Sequence, residues 1–135
     1  MVKVLYGKKG SGKTKNMIDS ANSLAADCKG YVVFIDDSNQ LMYDLKHEVR
    51  FINVSEFPVL SPDAFLGFVC GIVSANYDVD GIFIDGLTYI VKENINELKG
   101  FVEVINKLST QFNVKFYISI NGDAETMPEF LKEYI

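Results

Sequence analysis

The most constraining stretch of this 135-residue chain is residues 7–14, GKKGSGKT, which follows the apolar run VKVLY and opens a segment with helical spacing. It matches G-x-x-x-x-G-K-[S/T] in full, in the setting that gives the pattern physical meaning: after a strand and at the start of a helix. Gly7, Gly10 and Gly12 are expected to let the backbone turn with positive φ and come close to an anion. Successive N–H groups then point inward, and the following helix adds the positive end of its dipole. Lys13 carries a compact charge with three donors, suited to β- and γ-phosphates, and the Thr14 hydroxyl can ligate a Mg²⁺ that bridges them. The expected nucleotide-binding set is Gly7, Lys8, Lys9, Gly10, Ser11, Gly12, Lys13, Thr14 and Lys15. The expected ligands are a nucleoside triphosphate, taken as ATP because no guanine-reading NKxD occurs, and Mg²⁺.

The rest of the chain alternates strand-like and helix-like segments. Met17, Ile18, Ala21, Leu24, Ala25 and Cys28 share one helical face, and Gly30 stops that helix. Residues 31–35 form an apolar run without polar alternation, as expected of a parallel strand buried on both faces. Asp36, Asp37 and Ser38 follow as a loop and helix cap. A short helix over 39–47 and an extended segment over 50–54 come next. Pro58 and Pro62 frame a loop, and a helix then runs to about Asn76. The strand 81–84 ends at Asp85. Val91, Ile95, Leu98, Val102, Ile105, Leu108 and Phe112 recur at three or four residues and predict one long helix. Residues 114–120 read as the last strand and 125–134 as a closing helix. The pattern predicts a single domain over 1–135, a three-layer αβα sandwich on a mostly parallel five-stranded sheet. Ligands in such sheets bind at the carboxyl ends of the strands. That singles out the segment from Gly7, then Asp36, Asp37 and Asp85, and finally Ser119 and Asn121.

GKKGSGKT together with GIFID at 81–85 resembles the P-loop NTPases, over most of the chain. The resemblance implies that Asp85 is the Walker B aspartate, which holds Mg²⁺ through water beside Thr14. Gly86 stands where many ATPases carry a water-activating glutamate. The recombinase-like (RecA-like) branch instead places an acidic residue at the end of the second strand, where Asp36 stands. Asp36 is therefore the candidate base, and with Lys13 the candidate catalytic pair; its plain alternative is strand termination and helix capping. Ser119 and Asn121 resemble the polar residue that senses the γ-phosphate in that branch, against a plain role as turn residues. The function implied is Mg-dependent ATP binding, with slow hydrolysis or ATP-controlled switching for a protein partner. Arg50 is the one arginine, so fast turnover needs a basic residue from a partner protein or a second copy. The alternative is a small-molecule kinase, whose arginine-bearing lid Arg50 is poorly placed to supply.

Composition narrows the classes further. Apolar residues make up 48% and charged ones 23%, the balance of an ordinary globular domain. A net charge of −5 opposes unspecific nucleic-acid binding, and the lysines at 8, 9, 13 and 15 already have a phosphate to serve. The longest apolar stretch, residues 64–75, is too short for a membrane span of roughly twenty residues. Lys3 interrupts any signal-peptide core, and a cytoplasmic location is expected. Cys28 and Cys70 form no C-x-x-C and are expected as buried, reduced thiols. His47 sits in the charged stretch LKHEVR and is expected at the surface.

Overall fold

Five strands, β1 (Val2–Gly7), β2 (Tyr31–Asp36), β3 (Val49–Asn53), β4 (Val79–Ile84) and β5 (Lys115–Asn121), lie in the order β1-β5-β4-β2-β3 in the computed structural model. Residues 1–27 and 29–135 are described, so the expectation for Cys28 lies outside them. Every strand pair is parallel. The inner strands β2 and β4 are almost wholly apolar: Val32, Val33, Phe34 and Ile35, and Ile82, Phe83 and Ile84, are all buried. This is the run expected of a parallel strand covered on both faces.

Helix α1 (Lys13–Asp27) covers one face, with Met17 and Ala21 seated on Val32, Phe34 and Phe83. Beneath it, Phe51, Phe34, Phe83 and Tyr117 stack in register across β3, β2, β4 and β5, with successive ring centroids 6.4, 6.0 and 4.4 Å apart. The other face carries α2 (Pro62–Ala75), the short α3 (Leu87–Val91) and α4 (Lys99–Phe112), whose Phe65, Val69, Val102 and Ile105 pack with Phe116, Ile118 and Ile120. Helix α2 starts at Ser61 because its hydroxyl accepts the Ala64 N–H at 3.1 Å and Pro62 sets the first helical φ. These layers are the αβα sandwich on a five-stranded sheet that the alternation predicts.

Three predicted helices change form. Residues 39–47 contain only a 3₁₀ turn, Met42–Asp44, because the Asn22 side chain holds this loop to α1: it donates to the Asp44 carbonyl at 3.1 Å and accepts the Lys46 N–H at 2.8 Å. The long helix through Val91 and Phe112 is broken. Lys92 turns left-handed (φ 55°) and ends α3, and the Asn94 carboxamide captures the Asn96 N–H at 2.9 Å to start the 3₁₀ turn Ile95–Glu97 before α4. The apolar spacing survives the break, and Val91, Ile95, Leu98 and Val102 are all buried. The closing segment consists of two 3₁₀ turns, Ala124–Thr126 and Glu129–Tyr134, divided at Pro128, with Leu131 and Tyr134 packed into the core. Cys70 is half-buried rather than buried. His47 is exposed beside Glu48, at 2.8 Å. Among the described residues no helix is long and apolar enough to cross a membrane.

Candidate functional site

The carboxyl ends of β1, β2, β4 and β5 surround one cleft of about 520 Å³. β1 runs into the glycine loop at Gly7, and Gly10 and Gly12 turn with φ of 85° and 90°. Gly7 differs from expectation. Its φ is not positive, and a side chain there would instead crowd the Ser11 hydroxyl, 3.0 Å from the position of its Cβ. The Lys13 ammonium curls into the loop and donates to the Gly7 and Lys8 carbonyls, each at 2.8 Å. Partial burial holds the Lys13 pKa below its usual value, against the opposing pull of the Asp85 carboxylate.

Thr14 lies in the first turn of α1, and its hydroxyl is 3.3 and 3.5 Å from the two oxygens of Asp85, the residue that follows β4. Asp85 is held from the side by β5. That strand lies between β1 and β4, so the buried Ser119 hydroxyl donates to Asp85 Oδ1 at 2.6 Å and accepts the Gly86 N–H at 2.8 Å. Gly86 presents that N–H by turning left-handed, with φ 76° and ψ 53°. A bare hydroxyl–carboxylate pair suits Mg²⁺, a hard cation that takes oxygen ligands and keeps several waters, leaving few positions for protein. The residues present fit it, and no group of three or more His, Cys, Asp or Glu side chains forms another metal cluster among the described residues.

Asp36 ends β2 with its residue only 6% exposed, and its carboxylate accepts the Asp37 N–H at 2.8 Å. Burial raises its pKa from 3.8 to about 7, outweighing the Asp37 N–H; the nearby charges of Asp85 and Asp37 push the same way. This is the range in which a carboxylate exchanges protons most readily at neutral pH. Asn121 ends β5 opposite Gly7, where the Gly122 N–H donates to the Gly7 carbonyl at 3.0 Å, and it reaches the cleft wall.

The structure thus gathers Gly10, Gly12, Lys13, Thr14, Asp36, Asp37, Asp85, Ser119 and Asn121 at one opening, with Lys9 and Lys15 on its wall. Lys8 contributes its carbonyl to Lys13, and Ser11 faces a neighbouring groove beside β1. Lys15 also pairs with Asp19, one helical turn on, at 2.9 Å. Sequence reading missed Ser38, Gln40, Leu41, Gly86 and Tyr89, which complete the lining. Only Gly86 had a usable signal, a glycine directly after Asp85.

No protein-family profile matches the sequence, and no curated protein matches it. Among solved structures the chain is similar to the crystal structure of the flagellar accessory protein FlaH from Methanocaldococcus jannaschii. The TM-score is 0.55 at 14% identity, and the match covers 98% of this chain and 65% of that one. At that identity the likeness concerns the fold alone, and this chain spans about 65% of the length of FlaH. In its fold, the chain is an α/β domain on a parallel five-stranded sheet, similar to that structure.

Proposed function

We propose that this protein binds Mg·ATP in the cleft at the carboxyl ends of its strands and either hydrolyses it slowly or uses it as a switch for a protein partner. The observation that carries this reading is the convergence of three elements on one opening: a loop with left-handed Gly10 and Gly12 around Lys13, the facing Thr14 and Asp85, and the buried Asp36. Inward N–H groups and the α1 dipole receive the phosphates, and Lys13 exchanges its loop carbonyls for phosphate oxygens. Thr14 and Asp85 hold the Mg²⁺, which when bound neutralises charge on the β- and γ-phosphates. Ser119 keeps the Asp85 carboxylate turned toward Thr14.

In the hydrolytic reading, Asp36 orients a water and takes its proton as the water oxygen bonds to the γ-phosphorus and the bond to the ADP oxygen breaks. A carboxylate whose pKa lies at about 7 suits that task. Lys13 is the one cation hydrogen-bonded to the loop among the described residues, and Arg50, on β3, is not in the cleft lining. Turnover in isolation is accordingly slow, because a trans arginine is worth about 10³–10⁵ in rate.

The experiment is a titration of wild type and Lys13→Ala with ATP, GTP and their non-hydrolysable analogues in Mg²⁺, followed by phosphate release. Loss of a charge-assisted contact costs about 1.5–3 kcal/mol, roughly a 10- to 150-fold weaker Kd. An unchanged Kd in Lys13→Ala rejects the nucleotide reading.

A further inference from the structure

The loop that follows β3 and the short helix α3 border a second cavity, of about 170 Å³, beside the nucleotide cleft. Val54, Val59 and Ile90 give it an apolar lining, and Phe57 and Leu60 stand at its mouth. Asp37 and Tyr89 line both this cavity and the cleft, so they form the wall between the two. The loop is shaped by its own hydrogen bonds: the Phe57 N–H donates to the Val54 carbonyl at 3.1 Å and the Val59 N–H to the Phe57 carbonyl at 2.8 Å. The Phe57 ring is braced from the core. It packs on Phe68 of α2 with centroids 5.7 Å apart, Phe68 stacks on Phe65 at 6.3 Å, and Phe65 on Phe101 of α4 at 6.1 Å. Two features of this surface are unsatisfied. Phe57, Leu60 and Tyr89 are 49%, 66% and 55% exposed around one opening, whereas exposed apolar side chains on a monomer normally stand singly. Asp37 is exposed in the shared wall, and none of the ion pairs among the described residues includes it. Lys92, which turns left-handed at the end of α3, is the one cation of the cavity lining.

We propose that this surface docks a protein partner through a short segment that places one aromatic side chain in the cavity, a basic residue against Asp37 and an acidic residue against Lys92. Size and rim select a protein over a small molecule. A cavity of about 150 Å³ holds a single benzene ring, so an occupant confined to this one leaves Phe57, Leu60 and Tyr89 in water. A protein surface buries them as a ring around the anchor, the arrangement that excludes water from an interface centre. The charges select the flanks. Asp37, on the cleft side, is complementary to a cation, and Lys92, which the cleft does not touch, to an anion. Asp37 and Tyr89 also face the cleft, and the Tyr89 N–H donates to the carbonyl of Gly86, next to Asp85, at 3.0 Å. A partner seated here therefore touches the walls of the proposed nucleotide site. This partner is the one that the switch reading above requires, and to that extent the inference rests on that reading.

Amide chemical-shift titration of the isotope-labelled full chain tests the docking, with the acetylated and amidated tripeptide Arg-Phe-Glu as the probe and no nucleotide present. Saturable shifts are expected at Val54, Phe57, Leu60, Tyr89 and Ile90. The tripeptide Arg-Ala-Glu is expected to cause none, and Glu-Phe-Glu to bind roughly two- to five-fold more weakly, the worth of one exposed ion pair. Leu60→Asp places a charge on the rim, at a largely exposed residue outside the cleft lining. It is expected to abolish the shifts and to leave ATP affinity as in the wild type. The peptide comparison uses the wild-type chain, so it decides the matter even if that variant fails to fold. Absence of saturable shifts at millimolar Arg-Phe-Glu overturns the proposal, as do equal shifts with Arg-Ala-Glu, equal affinity for Glu-Phe-Glu, or undiminished shifts in folded Leu60→Asp. Phenol that binds as tightly as Arg-Phe-Glu marks a small-molecule site and overturns the protein partner. Because no nucleotide enters the titration, failure of the docking and failure of ATP binding are separate results.

Discussion

Replacing Asp36 with asparagine is expected to make the protein more stable at neutral and higher pH while removing any hydrolysis. The carboxyl is buried at the end of β2, and its pKa rises from 3.8 to about 7, first through burial and then through the charges of Asp85 and Asp37. The direction of the linkage follows from that rise. Below about pH 3.8 the group is protonated in both folded and unfolded chains, and no penalty exists. As pH rises toward about 7, the unfolded chain releases a proton that the folded chain retains, so stability falls and then levels off. Each tenfold in proton affinity is worth about 1.4 kcal/mol, which puts the penalty at up to about 4 kcal/mol at low salt. Salt screens the part that comes from Asp37 and Asp85. The asparagine carboxamide keeps an oxygen to accept the Asp37 N–H, bonded at 2.8 Å in the wild type, so the substitution removes the charge and little else. Chemical and thermal unfolding of both proteins across pH should show curves that coincide in acid and separate by up to about 4 kcal/mol, on the order of 10 °C in Tm, above about pH 8. The same variant should lose about 10²–10⁴ in single-turnover hydrolysis with ATP affinity nearly unchanged. A stability difference that does not vary with pH refutes the burial argument. Unaltered hydrolysis in Asp36→Asn removes Asp36 as the base, and no hydrolysis even in the wild type favours the switch.

Three further outcomes follow from the same geometry. Thr14→Ala and Asp85→Asn should each weaken nucleotide binding in Mg²⁺ much more than in EDTA, because both act through the cation; equal losses in the two buffers reject a shared metal site. Ser119→Ala strips Asp85 of its 2.6 Å donor and leaves the Gly86 N–H without an acceptor, so unfolding should show a loss of about 1–3 kcal/mol. The same variant should lose Mg²⁺-dependent nucleotide affinity more than EDTA affinity, and an unchanged metal dependence separates a purely structural serine from one that positions Asp85. Gly86→Ala forces a side chain into the left-handed region at φ 76°, at a cost of about 1–2 kcal/mol; a melting curve identical to that of the wild type contradicts the strain.

The sheet and most of the cleft were legible in the sequence because they rest on strong local rules. Unbroken apolar runs mark inner parallel strands, a glycine-rich turn between strand and helix marks an anion nest, and polar residues just after strands mark the opening of a parallel sheet. What escaped reading depends on partners distant in sequence. The helix predicted at 39–47 yields to Asn22, far earlier in the chain, which claims the Asp44 carbonyl and the Lys46 N–H. The break after α3 looked unnecessary because Val91, Ile95, Leu98 and Val102 keep helical spacing. A left-handed Lys92 and the Asn94 side chain interrupt the backbone there without disturbing which residues are buried. Strand order was likewise invisible in the residues, and so was the role of Ser119.

Strand order decides how the site is put together. With β5 inserted between β1 and β4, the loop strand and the Asp85 strand share a neighbour rather than an edge. Ser119 on that neighbour reaches Asp85, and two residues later Asn121 stands beside Gly7. A displacement of β5 therefore moves the carboxylate and the loop together, and a displacement of β1 reaches Asp85 through β5. Asp36 stands outside this linkage, on β2 beyond β4, where burial raises its pKa. The parts proposed to grip phosphate and metal are consequently braced by hydrogen bonds across adjacent strands. The part suited to moving a proton is the one whose ionised form the fold tolerates least, so binding and chemistry should separate under mutation.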